Sequence, residues 1–319
     1  MSQMYHYFTA TRIIIAGGKN ESSLSSAYIL NIIFDIDGEI YDVSYDDLDD
    51  MPQSCWMSFY QKCGDRIFIG GGRGIEPWDQ LNQVVEFRED KWMSFPSLTT
   101  TRDKCPASCF VNNILIVAGG YESTQGRLNS IEYIDITDEE DTEKEWALSK
   151  SVLPVRVLAH TLTELNGKIY LIGGNVGNLA KQVWISNRVW EGTLRPGNEF
   201  EFQEVCSMRE ERLGHFSIVV GNQIHVFGGE KNVLVDKSSV EVFDGNRWSQ
   251  GPDFPCLFNR SNSSAVLNRN GLIVITTSST EQIVLHGIMI YNPFARTVKS
   301  YPSYKLREPR EYYSSILLQ

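Results

Sequence analysis

The sequence has no long apolar run. Its longest hydrophobic stretches reach only seven or eight residues, far short of the ~20 that a membrane-spanning helix needs. The N-terminal segment MSQMYHYFTATR lacks the basic start and apolar core of a secretory signal, so a cytoplasmic protein with no membrane partner is expected. Dense Lys/Arg clusters are missing as well. With 29 basic and 40 acidic residues the formal charge is −11, which leaves no basic face for a nucleic acid. Histidine is scarce, at five residues, and no HExxH, Ser–His–Asp order or paired-carboxylate arrangement occurs. No segment sustains a convincing helical periodicity. Cysteine is present in an even number (Cys55, Cys63, Cys105, Cys109, Cys206 and Cys256), which would permit three disulfides. A chain of 319 residues that is 42% hydrophobic has core enough without such staples. The one close pair, CPASC, has neither zinc nor redox spacing, so six free thiols are expected.

What the sequence does contain is one phrase repeated five times: TRIIIAGGK, DRIFIGGGR, NILIVAGGY, GKIYLIGGN and NQIHVFGGE. The second glycines, at positions 18, 72, 120, 174 and 229, are separated by 54, 48, 54 and 55 residues. A further step of 48 reaches Thr277 in GLIVITTSS, a sixth copy with threonines in place of both glycines. Adjacent glycines weaken a strand interior, so they imply a close approach of another chain segment. Each unit continues with an alternating strand (QVVEFR, SIEYIDI, SSVEVFD, GIMIYNP), then a large side chain such as Trp92, Trp146 or Trp248, then a proline-marked turn. Short strands at this spacing predict an all-β fold of six four-stranded units, each too small to be stable without its neighbours. Trp92, Trp146 and Trp248 are expected to be buried against adjacent units. The third strand of unit 4 cannot be placed within KQVWISNRVWEGTLRPGNEFEFQEV.

These motifs resemble the kelch repeat, and the resemblance covers residues 12–319. It implies a single six-bladed kelch β-propeller over 12–319, with four antiparallel strands (a to d, from the axis outward) per blade and residues 1–11 as a lead-in. Because the chain starts on a strand b and ends in REYYSSILLQ, the C-terminal segment is expected to supply strand a of blade 1 and remove an open edge. YHYFTAT (5–11) is the alternative candidate for that strand. The acidic runs YDDLDDM (45–51) and TDEEDTEKE (137–145) are assigned to solvated loops.

Candidate chemistry is sparse. His160 and His215 each stand thirteen residues before a first glycine, and so share a register, but no third ligand type joins them and structural histidines are expected. GGGRG (70–74) runs into a strand rather than the helix a phosphate loop needs. PREYYSS (309–315) is faintly similar to the ligand-bearing stretch of radical-copper oxidases, with Tyr313 where those enzymes have histidine.

At sixteen or seventeen residues before the first glycine or its substitute stand Arg102, Arg156, Arg212 and Arg260, with Arg310 at the terminal equivalent. Blade 2 has Ser54 there. These five arginines are expected to ring the channel mouth, with Arg73, Trp78, Tyr121 and Asn175 added from the b–c loops. The family resemblance implies a non-enzymatic interaction module binding an acidic or phosphorylated peptide on the face made by the b–c and d–a loops, with no cofactor and no metal. It would act as a substrate receptor of a cullin ubiquitin ligase only if a BTB or F-box segment lies outside this chain. The alternatives implied are an actin-binding kelch protein and a small-molecule enzyme of the sugar mutarotase or oxidase type.

Overall fold

Alternating apolar residues in runs of four to nine form strands throughout a computed structural model that describes residues 9–76, 79–137, 144–177, 184–232, 235–236, 238–256, 258–278 and 287–318. Twenty-four of the strands make six four-stranded antiparallel sheets. Blade 2 runs Phe59–Cys63, Arg66–Gly70, Val84–Arg88 and Lys91–Phe95, in the spatial order of the chain. Blades 3 to 6 repeat this order from inner strands Ala107–Val111, Thr161–Leu165, Phe216–Val220 and Ser263–Leu267. Blade 1 is assembled from both ends of the chain. Its strands Thr9–Ala16, Ala27–Phe34 and Ile40–Leu48 are completed by Ser314–Leu317, with Ile13 opposite Leu317 and Ala16 opposite Ser314. The expected C-terminal closure is therefore observed. Thr9, Ala10 and Thr11 of the competing segment belong to strand b itself, and residues 5–8 lie outside the described residues.

Each inner strand touches the inner strands of the blades on either side, from blade 1 through blade 6 and back to blade 1, so the sheets close into a ring. The hydrophobic core is divided in the same way, with one cluster at every seam. Ile116 and Ile131 of blade 3 pack on Leu171 and Trp190 of blade 4, and Ile13 and Leu30 of blade 1 pack on Val274 and Ile290 of blade 6. A blade thus buries one face on each neighbour, and none is covered without both.

The glycine pairs sit where two backbones meet. A Cβ on Gly173 would lie 2.7 Å from the Arg212 carbonyl oxygen of the next blade, and one on Gly174 would lie 2.6 Å from Val157 and 2.7 Å from His160 of its own blade. Both residues have positive φ, at 59° and 93°, where a side chain is strained. The second amide then donates to the neighbouring blade, as in Gly174 N to Arg212 O at 2.8 Å and Gly229 N to Phe258 O at 2.9 Å. At the degenerate seam hydroxyls do this work. Thr276 Oγ1 lies 3.0 Å from Tyr313 Oη and 3.1 Å from Ser315 Oγ, tying blade 6 to the closing strand.

Trp146 and Trp248 are buried against the preceding blade, their indole N–H groups donating to Pro96 O at 2.8 Å and Cys206 O at 2.7 Å. Trp92 meets the expectation only in part: it is half-buried, tilted against Phe87 of its own blade and packed on the core cluster at the seam of blades 1 and 2. The strand missed in blade 4 is Val189–Arg195. The first acidic run is a loop only in part: Tyr45–Leu48 belong to the outer strand of blade 1, where Asp46 and Asp47 are both exposed, and only residues 49–51 leave it. Most of the second run lies outside the described residues. All six cysteines are free thiols.

Candidate functional site at the channel mouth

Three of the five register arginines are part of the fold rather than the mouth. Arg102 is fully buried; its Nη1 donates to Gly119 O at 2.8 Å and Ser130 O at 3.1 Å, its Nη2 to Ser130 Oγ at 2.9 Å, and its Nε to Glu132 Oε1 at 2.9 Å. Arg212 repeats this clamp in blade 5 on Gly228 O, Ser239 and Glu241. Arg310 repeats it in blade 1 on Gly17 O and Ser26, with Glu308 as its carboxylate and its guanidinium 5.1 Å from the Tyr28 ring. The clamp uses a serine at or just before the start of strand c with Glu, or Tyr, two residues later: Ser130/Glu132, Ser239/Glu241 and Ser26/Tyr28. Blade 4 has Arg188 and Trp190 there, so Arg156 is left half-buried, bonding Arg127 O at 2.8 Å. The expectation that Arg102, Arg212 and Arg310 present charge to a ligand is corrected: every one of those guanidinium groups is enclosed and spent within its own blade.

Arg260 departs in another way. The leads into the inner strands are laced around the mouth by backbone bonds, Cys105 N to Met57 O at 2.9 Å, Gly214 N to Ala159 O at 2.8 Å and Tyr312 N to Ser261 O at 2.9 Å. Arg260 N bonds Gly214 O at 2.9 Å and so takes the place held by Gly214, Ala159 and Cys105 in other blades, not that of Arg212. Its guanidinium extends past blade 1 to Tyr60 of blade 2, 5.7 Å from the ring.

The residue after each glycine pair is bridged to the lead of its own blade, as in Arg73 with Trp56, Asp103 with Tyr121, Lys19 with Glu311 and Leu213 with Glu230. This places the predicted Arg73, Tyr121 and Asn175 together on the expected face. Asn175 is buried and accepts from Arg127 Nη2 at 2.9 Å, whereas Arg73 and Tyr121 are half-exposed. Trp78 lies outside the described residues. Four further members went unpredicted: Lys19, Trp56, Lys104 and Tyr312. Lys19 Nζ lies 4.7 Å and the Arg73 guanidinium 5.4 Å from the Trp56 ring, which packs 5.7 Å from Tyr312. Lys104 Nζ stands 3.9 Å above Tyr121. Arg73 Nε also donates to the buried carboxylate of Asp103 at 2.7 Å. The Lys104 ammonium is pushed below the usual lysine range by burial, with Arg73 and Arg127 adding to the push against the pull of Asp103. A register count would have found Lys19, which follows Gly18 as Arg73 follows Gly72.

Below the mouth the inner strands enclose a channel of about 330 Å³. His160 and His215 line it, fully buried. Burial, reinforced by Arg260 and Arg102, lowers His160 to about 3, and burial with Arg212 and Arg260 lowers His215, so both rings are neutral. His215 Nε2 lies 3.1 Å from Thr161 Oγ1. Tyr313 does not face the channel chemistry that the oxidase similarity suggested. Its hydroxyl donates to Thr276 O at 2.7 Å inside the blade 6–blade 1 seam.

In fold and motif the chain resembles the kelch-repeat β-propellers. A family model described as Kelch motif matches residues 104–146, which hold the three inner strands of blade 3 and end just before its outer strand Ala147–Val152. The chain is 26% identical over 201 residues to spermatocyte protein spe-26 of Caenorhabditis elegans, covering 58% of this chain and 32% of that protein. It is 25% identical over 202 residues to kelch-like protein 41b of Danio rerio, covering 60% and 31%. The match thus spans about a third of the length of these relatives. Among solved structures it is similar to that of YjhT, with a TM-score of 0.65 and 14% identity over 84% of this chain and 88% of that one, a likeness of fold.

Proposed function

We propose that the chain is a protein-interaction module whose mouth, on the b–c and d–a face, holds an acidic or phosphorylated segment of a partner protein. The observation that carries this reading is the half-exposed patch of Lys19, Arg73 and Lys104 interleaved with Trp56, Tyr121 and Tyr312. Three cations gathered on one face of a chain with charge −11 suit carboxylate or phosphate oxygens, and the aromatic rings supply rigid apolar anchors. Arg102, Arg212 and Arg310 support the mouth from within.

The test is selection from a displayed library of random peptides. The parent should enrich Asp and Glu, and a Lys19→Glu/Lys104→Glu variant should bind the selected peptides at least about 100-fold more weakly, at about 1.5–3 kcal/mol for each charge-assisted bond. Equal binding by a folded variant would refute the reading. A receptor role in a cullin ligase would further need a BTB or F-box segment outside residues 1–319, and co-purification of a cullin with the full gene product tests it. Cosedimentation with filaments tests the actin-binding alternative.

A further inference from the structure

The ring is fastened unequally. At five seams the second amide of the glycine pair donates across to the next blade: Gly18 N to Cys55 O at 2.8 Å, Gly72 N to Arg102 O at 2.6 Å, Gly120 N to Val157 O at 2.9 Å, and likewise from Gly174 and Gly229. At the sixth, between blades 6 and 1, Thr277 N turns instead to Gly287 O of its own blade at 2.8 Å. The clamp of the closing blade is incomplete as well. Arg212 holds both Glu210 on its lead and the buried Glu241 on strand c. Arg310 has Glu308 on its lead but Tyr28 in place of the second carboxylate, and among the described residues its Nε is buried without a partner. A buried donor left unmade is costly. The inner strand Ser314–Leu317 pairs over four residues, against five in blades 3 and 5, and no turn joins it to its neighbour Thr9–Ala16. Lys62 of blade 2 pins its end, Nζ donating to the carbonyls of Leu317 at 2.8 Å and Leu318 at 3.2 Å.

We propose that the closing strand is a gate that opens while the other five blades stay folded, and that its opening takes the mouth apart. Local opening begins at the least-fastened element, below the free energy of global unfolding. The lead into this strand is also half of the mouth patch. Lys19 N donates to Glu311 O at 2.8 Å, Glu311 N donates to Lys19 O at 2.6 Å, and Tyr312 packs 5.7 Å from Trp56. A ligand spanning Lys19, Trp56 and Tyr312 therefore binds the shut ring and not the open one, and holds the gate closed by mass action. This coupling rests on the function proposed above, whereas the opening itself does not.

Hydrogen exchange read by mass spectrometry tests both parts, on the parent and on Lys62→Met. In the parent, Ser314–Leu317 should be protected at least about tenfold less than Ala107–Val111 and Phe216–Val220. Lys62→Met removes the pin and keeps the bulk, so it should lower the protection of Ser314–Leu317 about a further tenfold and leave the other two strands unchanged. Equal protection of the three strands, or a variant that moves all three together, would mean that the ring opens only by unfolding, and the gate is refuted. A peptide selected at the mouth, added at about 100 times its dissociation constant, should slow exchange in Ser314–Leu317 about 100-fold. A peptide that binds without slowing this strand overturns the coupling. If the library yields no binder, the mouth reading fails and the coupling with it, while the opening is still judged by the first comparison.

Discussion

At the scale of single residues, one amino-acid type serves opposite ends here. Arg102 spends its whole fork on Gly119, Ser130 and Glu132 with no exposure. Removing one partner of a buried ion pair leaves the other charged and dry, at a cost of about 3–5 kcal/mol. Arg102→Ala should therefore lose about that much stability in urea unfolding, whereas Arg260→Gln should stay within about 1 kcal/mol of the parent. The buried histidines make a second prediction. His160 and His225 are lowered to about 3 and about 4, by burial first in each case. In the unfolded chain both titrate near 6.5. As pH falls from 6.5 toward 4, the unfolded state therefore takes up protons that the folded state refuses, and stability falls with it. Each histidine contributes at most about 1.4 kcal/mol per pH unit in that window. Urea unfolding at pH 5, 6 and 7 should show a shallower slope for His160→Gln than for the parent, by a difference that grows toward about one proton at the acid end.

At the scale of strands and seams, closure depends on four residues at the far end of the chain. Ser314–Leu317 cover the inner edge of Ile13–Ala16, and Arg310 pins the same blade through Gly17 and Ser26. Truncation after residue 309 should open the seam between blades 6 and 1, removing Tyr313 and Ile316 from two core clusters. The expected loss exceeds about 5 kcal/mol, enough to consume the margin of an ordinary domain, and a melting curve checks it. This arrangement was legible because five of the six units carry a glycine pair where two backbones meet at positive φ, so their spacing counts the units and points to the threonine pair of the sixth. The inner strands around them followed from alternation. Strand c of blade 4 was not legible, since Trp190 and Gly192 break the Val–Glu pattern and only pairing with Lys168–Ile172 reveals it. The mouth was legible in part. Arg73, Tyr121 and Asn175 follow directly from the glycines, but Trp56, Lys104 and Tyr312 come from irregular leads with positive φ at Met57, Lys104, Cys105 and Tyr312, which no periodicity announces. Arg260 was placed in the clamp register because the count ran back from a threonine. The lead of blade 6 turns differently, and only the bond from Arg260 N to Gly214 O shows the two-residue offset.

At the scale of the whole molecule, the charge of −11 and the basic mouth act on an approaching acidic segment over different distances. The body repels it from afar. Lys19, Arg73 and Lys104 attract it only within about one screening length, roughly 10 Å at 0.1 M salt. Long-range steering, which speeds many charged associations, is thus opposed by the protein's own field. Affinity rests on contacts formed after arrival. The signs for the two rate constants follow separately. Added salt screens the repulsion between body and ligand, so association of a selected acidic peptide should hold steady or quicken between about 0.05 and 0.5 M sodium chloride, roughly three-fold either side of the physiological value. Added salt also weakens the half-exposed cation–carboxylate pairs, so dissociation should quicken over the same range, and the loss of affinity should appear there. Stopped-flow association with a fluorescently labelled peptide, paired with a displacement measurement of dissociation, separates the two. An association rate falling steeply with salt would mean that the mouth cations dominate the far field, and that capture rather than retention sets the affinity.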